Sequence, residues 1–258
     1  MKALILAAGQ GTRLGNLTIN KPKGMVDFFD KSIIEHQINL YTSLGITNIA
    51  IVRGYKKEEI NFPNIRYYDN ESYMNTNMIE SLMCARDFFD DDIILSYSDI
   101  IFTKKCLSKL LENPNDIAIT VDNKWKEYWI LRYGKTSVDI ENLKIKNDEI
   151  TEIGQSIANS NNIEYRYVGL NKFTKKGTSE LKKVYDIRKK DGKKWPSSNK
   201  SFLQGYMTDI LQEMINMNIS IKPSYISNNW LEVDTPNDLK IAKELYSSKQ
   251  SIFYRENE

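Results

Sequence analysis

The first residues of the chain combine glycines with cations in an order that suits phosphate binding. Gly9 and Gly11 follow an apolar segment, and Arg13 and Lys23 come after them. Glycine allows a tight turn that brings backbone N–H groups against an anion, and the two basic side chains supply positive charge. The segment therefore predicts a loop that holds the phosphates of a nucleotide.

Two well-known glycine motifs do not fit this loop. A dinucleotide-binding G-x-G-x-x-G motif needs a glycine at position 14, where the chain has Leu14 and only then Gly15. A Walker loop needs G-x-x-x-x-G-K-[ST], which cannot be placed between Gly9 and Lys23. A nicotinamide oxidoreductase is thus a remote alternative, and a P-loop enzyme is excluded.

Two aspartates each stand just after a predicted strand. Asp99 follows the apolar strand 93–96, at the edge where parallel sheets bind ligands, and suits a Mg²⁺ ion that carries triphosphate oxygens. The alternative is that Asp99 caps the helix predicted near 104–111. Asp234 precedes Thr235, which is the better N-cap of the next helix, so the carboxylate of Asp234 is left free for another partner. The alternative is that Asp234 is itself an ordinary cap residue.

Alternating strands and helices must position these residues. The hydrophobic periodicity predicts strands 3–6, 49–52, 65–68 and 93–96 and helices 32–44 and 78–89. This is the order of βαβ units, so we expect a parallel sheet with helices on both faces and ligands at the carboxyl ends of its strands. From about residue 117 the pattern changes to short strands and turns.

Composition indicates a globular enzyme of the cytoplasm. The 258 residues, 41% of them hydrophobic, can form one large domain, and the net charge of +2 gives no argument for a nucleic-acid partner. The basic run 189–194 is predicted to be a solvated loop, and Cys84 and Cys106 form no metal or redox motif. No apolar stretch reaches the roughly 18 residues of a membrane helix, so no membrane partner is expected. The oligomeric state is left open, with a homodimer as the candidate assembly.

Three segments carry a resemblance to a known family. LAAGQGTRL at 6–14, KPKGM at 21–25 and VDTPNDL at 233–239 resemble the nucleotidyltransferase superfamily. The chain is most similar to the short bacterial cytidylyltransferases of the phosphocholine type, including those that act on phosphoglutamine in capsule phosphoramidate modification. The similarity extends from the glycine loop to near the C-terminus.

The resemblance implies a fold and a division of the chain. The fold is α/β, with a Rossmann-like mixed, mainly parallel sheet flanked by helices and a small acceptor-binding lid, of the nucleotide-diphospho-sugar transferase type. Residues 1–258 form a single nucleotidyltransferase domain. Within it, 1–116 is the nucleotide-binding half, 117–230 the acceptor-binding and lid region, and 231–258 carries a metal aspartate and the C-terminal helix.

The resemblance also implies roles for individual residues. Arg13 and the glycine loop would hold the β and γ phosphates, Lys23 would stabilise the α-phosphate, and Asp99 with Asp234 would hold Mg²⁺. The residues expected to contact the nucleotide are Leu6, Ala8, Gly9, Gly11, Thr12, Arg13, Lys23, Asn77 and Ser81. For the last two the alternative is structural: Asn75 or Asn77 caps the helix and Ser81 faces solvent.

The acceptor side is less defined. Residues 73–82 resemble the asparagine-and-serine stretch of the phosphocholine-type enzymes, which argues against a sugar 1-phosphate. The aromatic-rich segment 124–133 either forms a cage for an ammonium group or packs as a strand on one face. Arg132, Lys126 or Arg166 would meet the carboxylate of glutamine phosphate.

The expected function is that of a Mg²⁺-dependent cytidylyltransferase. It joins CMP from CTP to a phosphorylated small amine or amino acid, L-glutamine phosphate or a phosphocholine-like compound, for capsule or surface polysaccharide modification. His36 is not predicted to be a general base, because an acceptor phosphate is already anionic at neutral pH. The alternatives are a sugar-1-phosphate nucleotidyltransferase and a catalytically silent binding subunit.

Overall fold

The computed structural model describes residues 1–157 and 159–254 of the chain. Its strands are β1 (Lys2–Ala7), β2 (Asp27–Phe28), β3 (Lys31–Ser32), β4 (Ile49–Arg53), β5 (Arg66–Asp69), β6 (Ile93–Tyr97), β7 (Ile100–Phe102), β8 (Ile117–Asp122), β9 (Glu141–Lys146), β10 (Glu149–Ser156), β11 (Arg166–Phe173), β12 (Lys222–Ile226) and β13 (Trp230–Glu232). Its α-helices are α1 (Ile33–Ser43), α2 (Met78–Cys84), α3 (Lys104–Glu112), α4 (Trp125–Tyr133), α5 (Lys175–Asp191), α6 (Met207–Asn216) and α7 (Pro236–Ser247).

A seven-stranded sheet organises the molecule, with the strand order β12-β8-β11-β6-β1-β4-β5. β1 runs parallel to β4 and β6, β4 is parallel to β5, and β8 is parallel to β12. β11 is antiparallel to both of its neighbours, β6 and β8. The predicted fold class, a mixed and mainly parallel sheet flanked by helices, is confirmed.

Hydrophobic cores cover both faces of this sheet. Ala3, Ile5 and Ala7 of β1 belong to one core, while Leu4 and Leu6 belong to the other, because successive side chains of a strand point to opposite faces. Helices α1, α3, α4 and α7 contribute to the first core, and α2, α5 and α6 to the second. Burial on both sides leaves the strand ends as the accessible edge of the sheet.

The elements predicted for the first half of the chain are largely confirmed. Each of the four predicted strands and the helix over 32–44 is correct to within one residue at either end. The helix over 78–89 is shorter than predicted, because α2 ends at Cys84 and a 3-10 turn follows at Arg86–Phe88. Phe88 and Phe89, at the end of this turn, are both buried in the core.

The prediction of short strands and turns beyond residue 117 is wrong in part. The region contains strands, but besides α7, the helix expected after Thr235, the helices α4, α5 and α6 also lie there. The basic run 189–194 is not wholly a loop, since Lys189 and Lys190 belong to the last turn of α5, which is capped at Gly192 with φ 65°. The lysines of this run are exposed, as expected.

Two further expectations from the sequence concern the cysteines and membrane-spanning helices. Cys84 and Cys106 are both free thiols. Within residues 1–157 and 159–254, no helix is both long and apolar enough to cross a membrane.

Candidate active site

The glycine loop leaves the carboxyl end of β1 and packs against its own lysine. Residues 8–11 lead into the 3-10 segment Thr12–Thr18, and Lys23 begins a second 3-10 turn. Gly11 has φ +70°, and a Cβ atom there would lie 2.7 Å from Cβ of Lys23. Glycine is required for both the backbone conformation and the close contact. The loop therefore sets the position of the Lys23 side chain.

Pairing of β7 with β13 brings the two predicted metal aspartates together. The strands are antiparallel, with Ile100 opposite Glu232. The N–H group of Val233 donates to the carbonyl oxygen of Asp99 at 3.0 Å. Asp99 precedes β7 and Asp234 follows β13, so both lie at the same end of this two-stranded ribbon.

A buried glutamine of α1 braces the turn that carries Asp99. Gln37 Nε2 donates to the carbonyl oxygens of Tyr97, at 2.8 Å, and Ile100, at 2.7 Å. Its Oε1 accepts from the hydroxyl of Ser96 at 2.8 Å. The backbone is thus fixed on both sides of Asp99.

Helix capping leaves Asp234 free for other partners. Thr235 accepts a hydrogen bond from the N–H of Asp238, and the Asp238 carboxylate accepts one from the N–H of Thr235, which completes a capping box. The alternative in which Asp234 is the ordinary cap is therefore wrong. Asp234 is buried, and its Oδ1 accepts from Nη2 of Arg13 at 2.7 Å.

Lys23 lies between the two aspartates. Its Nζ donates to Asp99 Oδ2 at 2.5 Å and to Asp234 Oδ1. Burial acts to lower the pKa of Lys23, but the charges of Asp99 and Asp234 outweigh it and raise the pKa above the usual value. Burial acts to raise the pKa of Asp234, but Lys23 and Arg13 lower it. Lys23 and Asp234 are therefore both charged at neutral pH.

Glu232 adds a third carboxylate to the site. One oxygen atom from each of Asp99, Glu232 and Asp234 lies within 4.8 Å of the others. Burial and the charge of Asp234 raise the pKa of Glu232, against the opposing effect of Arg132. In the described part of the chain, Oδ1 of Asp99 is buried without a hydrogen-bond partner. A carboxylate group of this kind, with an unsatisfied oxygen, fits a hard divalent cation.

Arg132 of α4 supports these carboxylates from within the protein. Its side chain is fully buried and donates to Glu232 at 2.6 Å, to Asp234 at 3.0 Å and to Asp238 at 2.9 Å. Burial acts to lower the pKa of Arg132, but the carboxylates raise it. A rigid guanidinium fork that binds three carboxylates fixes their orientation as well as balancing their charge.

Two cavities meet at this cluster. The first, which we call the loop cavity, has a volume of about 150 Å³. It is lined by Leu6, Ala8, Gly9, Lys23, Tyr73, Thr76, Asn77, Met78, Ser81, Tyr97, Ser98 and Asp99. The second, which we call the outer cavity, has a volume of about 230 Å³ and includes Arg13, Asp139, Glu141, Arg166, Tyr206, Glu232 and Asp234. Met78, Tyr97 and Asp99 line both cavities, so a group bound in one can reach a group bound in the other.

Comparison with known families decides what kind of protein carries this site. Residues 3–151 match the family model of the MobA-like NTP transferase domain. The chain belongs to this family. The matched residues include the glycine loop, Lys23 and Asp99, whereas Glu232 and Asp234 lie beyond them.

Relatives of this NTP transferase extend the similarity over nearly the whole chain. It is 36% identical over 252 residues to the CTP:phosphoglutamine cytidylyltransferase of Campylobacter jejuni, an alignment that covers 93% of this chain and 98% of the relative. The crystal structure of the CTP:phosphocholine cytidylyltransferase of Streptococcus pneumoniae has a TM-score of 0.71, with 19% identity and coverage of 95% and 98% of the two chains. The inositol-1-phosphate CTP transferase of T. maritima has a TM-score of 0.73, with 19% identity and 96% coverage of both chains. Because both structures are only 19% identical to this chain, their similarity supports its fold alone.

The NTP transferase fold brings most of the predicted site residues to one cleft. Arg13, Lys23, Asp99 and Asp234 form the ion-paired cluster described above. Gly11 and Thr12 do not line either cavity: Gly11 packs against Lys23, and Thr12 begins a 3-10 segment. The remaining predicted nucleotide contacts line the loop cavity: Leu6, Ala8, Gly9, Asn77 and Ser81.

Several of the alternatives weighed from sequence are now resolved. Thr103, and not Asp99, caps α3. Asn77 caps α2, which was the alternative to a role in nucleotide binding. It also lines the loop cavity. Ser81 does not face solvent, because it is buried and accepts from Asn70 Nδ2 at 2.9 Å. His36 hydrogen-bonds to the carbonyl oxygen of Phe28 and lines neither cavity.

The interpretation of 124–133 as a strand or an ammonium cage is wrong. Residues Trp125–Tyr133 form α4, and Trp125, Tyr128 and Trp129 are buried in the core. Arg132 is itself the cation among these rings, with its guanidinium carbon 4.7 Å from the centroid of the Trp129 ring. Arg132 is therefore unable to meet an acceptor carboxylate as predicted, and Lys126 lines neither cavity.

Sequence reasoning missed Glu232, the supporting role of Arg132 and the brace formed by Gln37. A signal for α4 was present, since Trp125, Tyr128, Trp129 and Arg132 follow the i, i+3, i+4, i+7 spacing of a buried helix face. Glu232 carried no local signal, because its role depends on the pairing of β13 with β7.

Proposed function

We propose that the protein is a Mg²⁺-dependent cytidylyltransferase. It would join CMP from CTP to a phosphorylated small amine or amino acid, L-glutamine phosphate or a phosphocholine-like compound, and release pyrophosphate. The observation that carries this proposal is the meeting of two cavities at Asp99, beside Lys23 and two further carboxylates. The choice of CTP and of the acceptor class is supported by the Campylobacter jejuni relative, which aligns over 93% of this chain.

The loop cavity is the proposed nucleotide site. The N–H groups of Ala8 and Gly9, which line this cavity, would bind phosphate oxygens. The N–H groups of residues 10–12 and the guanidinium of Arg13, which lines the outer cavity, would bind the β and γ phosphates where these extend beyond it. Lys23, bonded to Asp99 at the border of the two cavities, would stabilise the charge that develops on the α-phosphate. Asn77 and Ser81 also line the loop cavity, where they would contact the nucleoside.

Asp99, Glu232 and Asp234 are the proposed metal ligands. The unsatisfied buried oxygen of Asp99 supports this assignment, because a cation would satisfy it. When bound, Mg²⁺ would supply positive charge that neutralises and orients the phosphate oxygens. Arg132 orients Glu232 and Asp234, whereas Lys23, which donates to both Asp99 and Asp234, would have to move aside to admit the metal.

The reaction is a displacement at phosphorus. An oxygen of the acceptor phosphate, bound in the outer cavity, attacks the α-phosphorus of CTP, and the bond to the bridging oxygen of the β-phosphate breaks. No general base is needed because the nucleophile is already an anion. Catalysis then comes from positioning and from the cations around the transferred group.

The roles of the chain segments form part of the proposal. Residues 1–116 would bind the nucleotide, 117–230 would bind the acceptor and cover it, and 231–258 would complete the metal site within one domain. We also propose that the protein functions in the cytoplasm, assembles as a homodimer and takes part in capsule or surface polysaccharide modification.

The decisive experiment measures pyrophosphate release with Mg²⁺ for each of the four NTPs. Each nucleotide is paired with phosphocholine, phosphoethanolamine, 2-aminoethylphosphonate, L-glutamine phosphate and glucose 1-phosphate. Turnover with CTP and an amine-bearing acceptor is expected. Turnover with glucose 1-phosphate and UTP or dTTP would place the protein among the sugar-1-phosphate enzymes instead, and an absence of turnover with every pair would contradict the proposed activity.

A further inference from the structure

Arg166 is a cation of the outer cavity without a carboxylate partner. Its Nη1 donates to the carbonyl oxygen of Asp139 at 2.9 Å, and its guanidinium carbon lies 3.8 Å from the centroid of the Trp129 ring. Its Nε is buried and has no hydrogen-bond partner. Among the described residues it forms no ion pair within 4.0 Å. Packing on Trp129 and the bond to the backbone hold this guanidinium in place while leaving its charge available.

The other cations of the site already form ion pairs with carboxylates. Arg132 is fully buried against three carboxylates, and Lys23 lies between Asp99 and Asp234. Arg13, which also lines the outer cavity, is paired with Asp234 at 2.7 Å. Of the cations weighed from sequence for an acceptor carboxylate, only Arg166 lines the outer cavity within the described residues.

An acidic side chain of the same cavity complements Arg166. Glu141 begins β9, lines the outer cavity and forms no hydrogen bond or ion pair through its side chain among the described residues. The Glu141 side chain keeps an exposed surface at the cavity; desolvation there raises its pKa, and the charge of Arg166 acts in the opposite direction, so the two groups are within electrostatic reach of each other. An unpaired cation and an unpaired carboxylate in one cavity are complementary to a zwitterion.

We propose that Arg166 and Glu141 recognise the α-amino acid group of the acceptor. Arg166 binds the α-carboxylate and Glu141 binds the α-ammonium, while the phosphate at the other end of the acceptor reaches Lys23. The acceptor is therefore a phosphorylated α-amino acid. Phosphocholine would leave Arg166 unpaired and would offer no N–H donor to Glu141, so it is a poor substrate. This inference rests on the proposed function for the position of the acceptor phosphate.

The first test uses acceptors that differ by one charged group. L-glutamine phosphate is compared with 4-aminobutanamide phosphate, which lacks the carboxylate, and with glutaramate phosphate, which lacks the ammonium. Each truncation is expected to lower kcat/KM about 10- to 100-fold, the usual effect of losing a hydrogen-bonded charge pair. Equal kcat/KM for all three acceptors would overturn the inference and leave the proposed function intact.

The second test separates recognition from structure with variants. Arg166→Met is expected to raise KM for L-glutamine phosphate about 10- to 100-fold with little change in kcat, and to leave KM for 4-aminobutanamide phosphate unchanged. Glu141→Gln should raise KM for acceptors with an ammonium group and leave glutaramate phosphate unaffected. Lys126→Met is the matched control, since Lys126 is a nearby cation outside both cavities, and it should resemble the wild type.

A readout independent of turnover distinguishes the two proposals. Calorimetry on the full chain with Mg²⁺ and a non-hydrolysable CTP analogue measures acceptor binding directly. Tighter binding of L-glutamine phosphate than of its two truncated analogues, lost in Arg166→Met, would support the inference even if no pyrophosphate were released. A uniform loss of kcat with every acceptor in Arg166→Met, or equal binding of the three compounds by the wild type, would contradict it.

Discussion

The loop cavity and the outer cavity are built in different ways. The loop cavity is formed at neighbouring strand ends, by the segments that follow β1 and β6 and by the first turn of α2. Its charged groups, Lys23 and Asp99, are paired with each other. The outer cavity draws on segments far apart in the chain, and two of its charged side chains, Glu141 and Arg166, have no ion-pair partner among the described residues.

This difference corresponds to two tasks of the site, the binding of phosphates and metal and the recognition of the acceptor. The groups proposed to handle the phosphates and the metal, which any nucleotidyl transfer needs, are fixed by the sheet and neutralised by one another. The groups proposed to recognise the acceptor are the first residues of two strands, Arg166 of β11 in the large sheet and Glu141 of β9 in a two-stranded sheet. Changes at Lys23 or at the three carboxylates should therefore lower the rate with every acceptor alike, whereas changes at Arg166 or Glu141 should alter which acceptor is used.

The largest effect is expected at Lys23. Lys23→Met removes the charge at the point where the two cavities meet, and kcat should fall on the order of a hundredfold or more for every acceptor. Lys21→Met is the control, because Lys21 pairs with the exposed Asp27 and lines neither cavity. Pyrophosphate release measures both variants, and a Lys23→Met enzyme that retained most of its rate would contradict the assignment.

A loss of about a hundredfold is expected for Asp99→Asn and Asp234→Asn. Each substitution keeps the size of the side chain and removes one negative charge from the proposed metal site. Binding of Mn²⁺, followed by electron paramagnetic resonance, should weaken together with turnover. Asp30→Asn changes an exposed aspartate and should leave both unchanged. Near-wild-type rates in both site variants, with the fold intact, would show that the metal lies elsewhere.

An effect of about tenfold on metal affinity is expected for Arg132→Lys. The lysine retains the positive charge but cannot bind three carboxylates as a fork, so the Mg²⁺ concentration for half-maximal rate should rise. Arg86→Lys alters a bidentate pair on the surface, at 2.6 and 2.7 Å from Asp186, and is the matched control. If Arg132→Lys lowered the melting temperature without changing the Mg²⁺ dependence, its role would be structural alone.

The smallest effect is expected for Gly11→Ala. Gly11 and Gly192 both have left-handed backbone angles, with φ 70° and ψ 42° at Gly11 and φ 65° and ψ 4° at Gly192, so alanine should cost about 1 kcal/mol of folding free energy at either position. At Gly11 the new methyl group would also displace Lys23, whereas nothing lies within 4 Å at Gly192. We therefore expect similar melting temperatures but a several-fold higher KM for CTP in Gly11→Ala alone. The same KM in both variants would mean that the contact does not position Lys23.

The sequence was informative wherever the structure depends on local rules. The glycine loop, the capping box after Asp234 and the βαβ units of the first half all follow from residues close together in the chain. Asp99 could be placed at the correct edge of the sheet because carboxyl ends of parallel strands share that edge. These features account for most of the loop cavity.

The outer cavity could not be predicted in the same way. In the segment that forms α4, two alternating sets of residues, Tyr128, Ile130 and Arg132 against Trp129, Leu131 and Tyr133, are also typical of a strand packed on one face. The role of Glu232 depends on two short strands from distant parts of the chain, and that of Arg132 depends on α4 packing beneath them. Pairings of this kind have no signature in a single sequence.

The β7–β13 ribbon also determines when the site can exist during protein synthesis. The nascent chain acquires its glycine loop, Lys23 and Asp99 early, but Asp234 lies 221 residues after its partner Arg13. Until β13 emerges and pairs with β7, the cations of the loop face an incomplete set of carboxylates. The proposed activity therefore begins only after β13 and Asp234 have been translated, and a fragment that ends before β13 would retain the loop without the ability to complete the metal site.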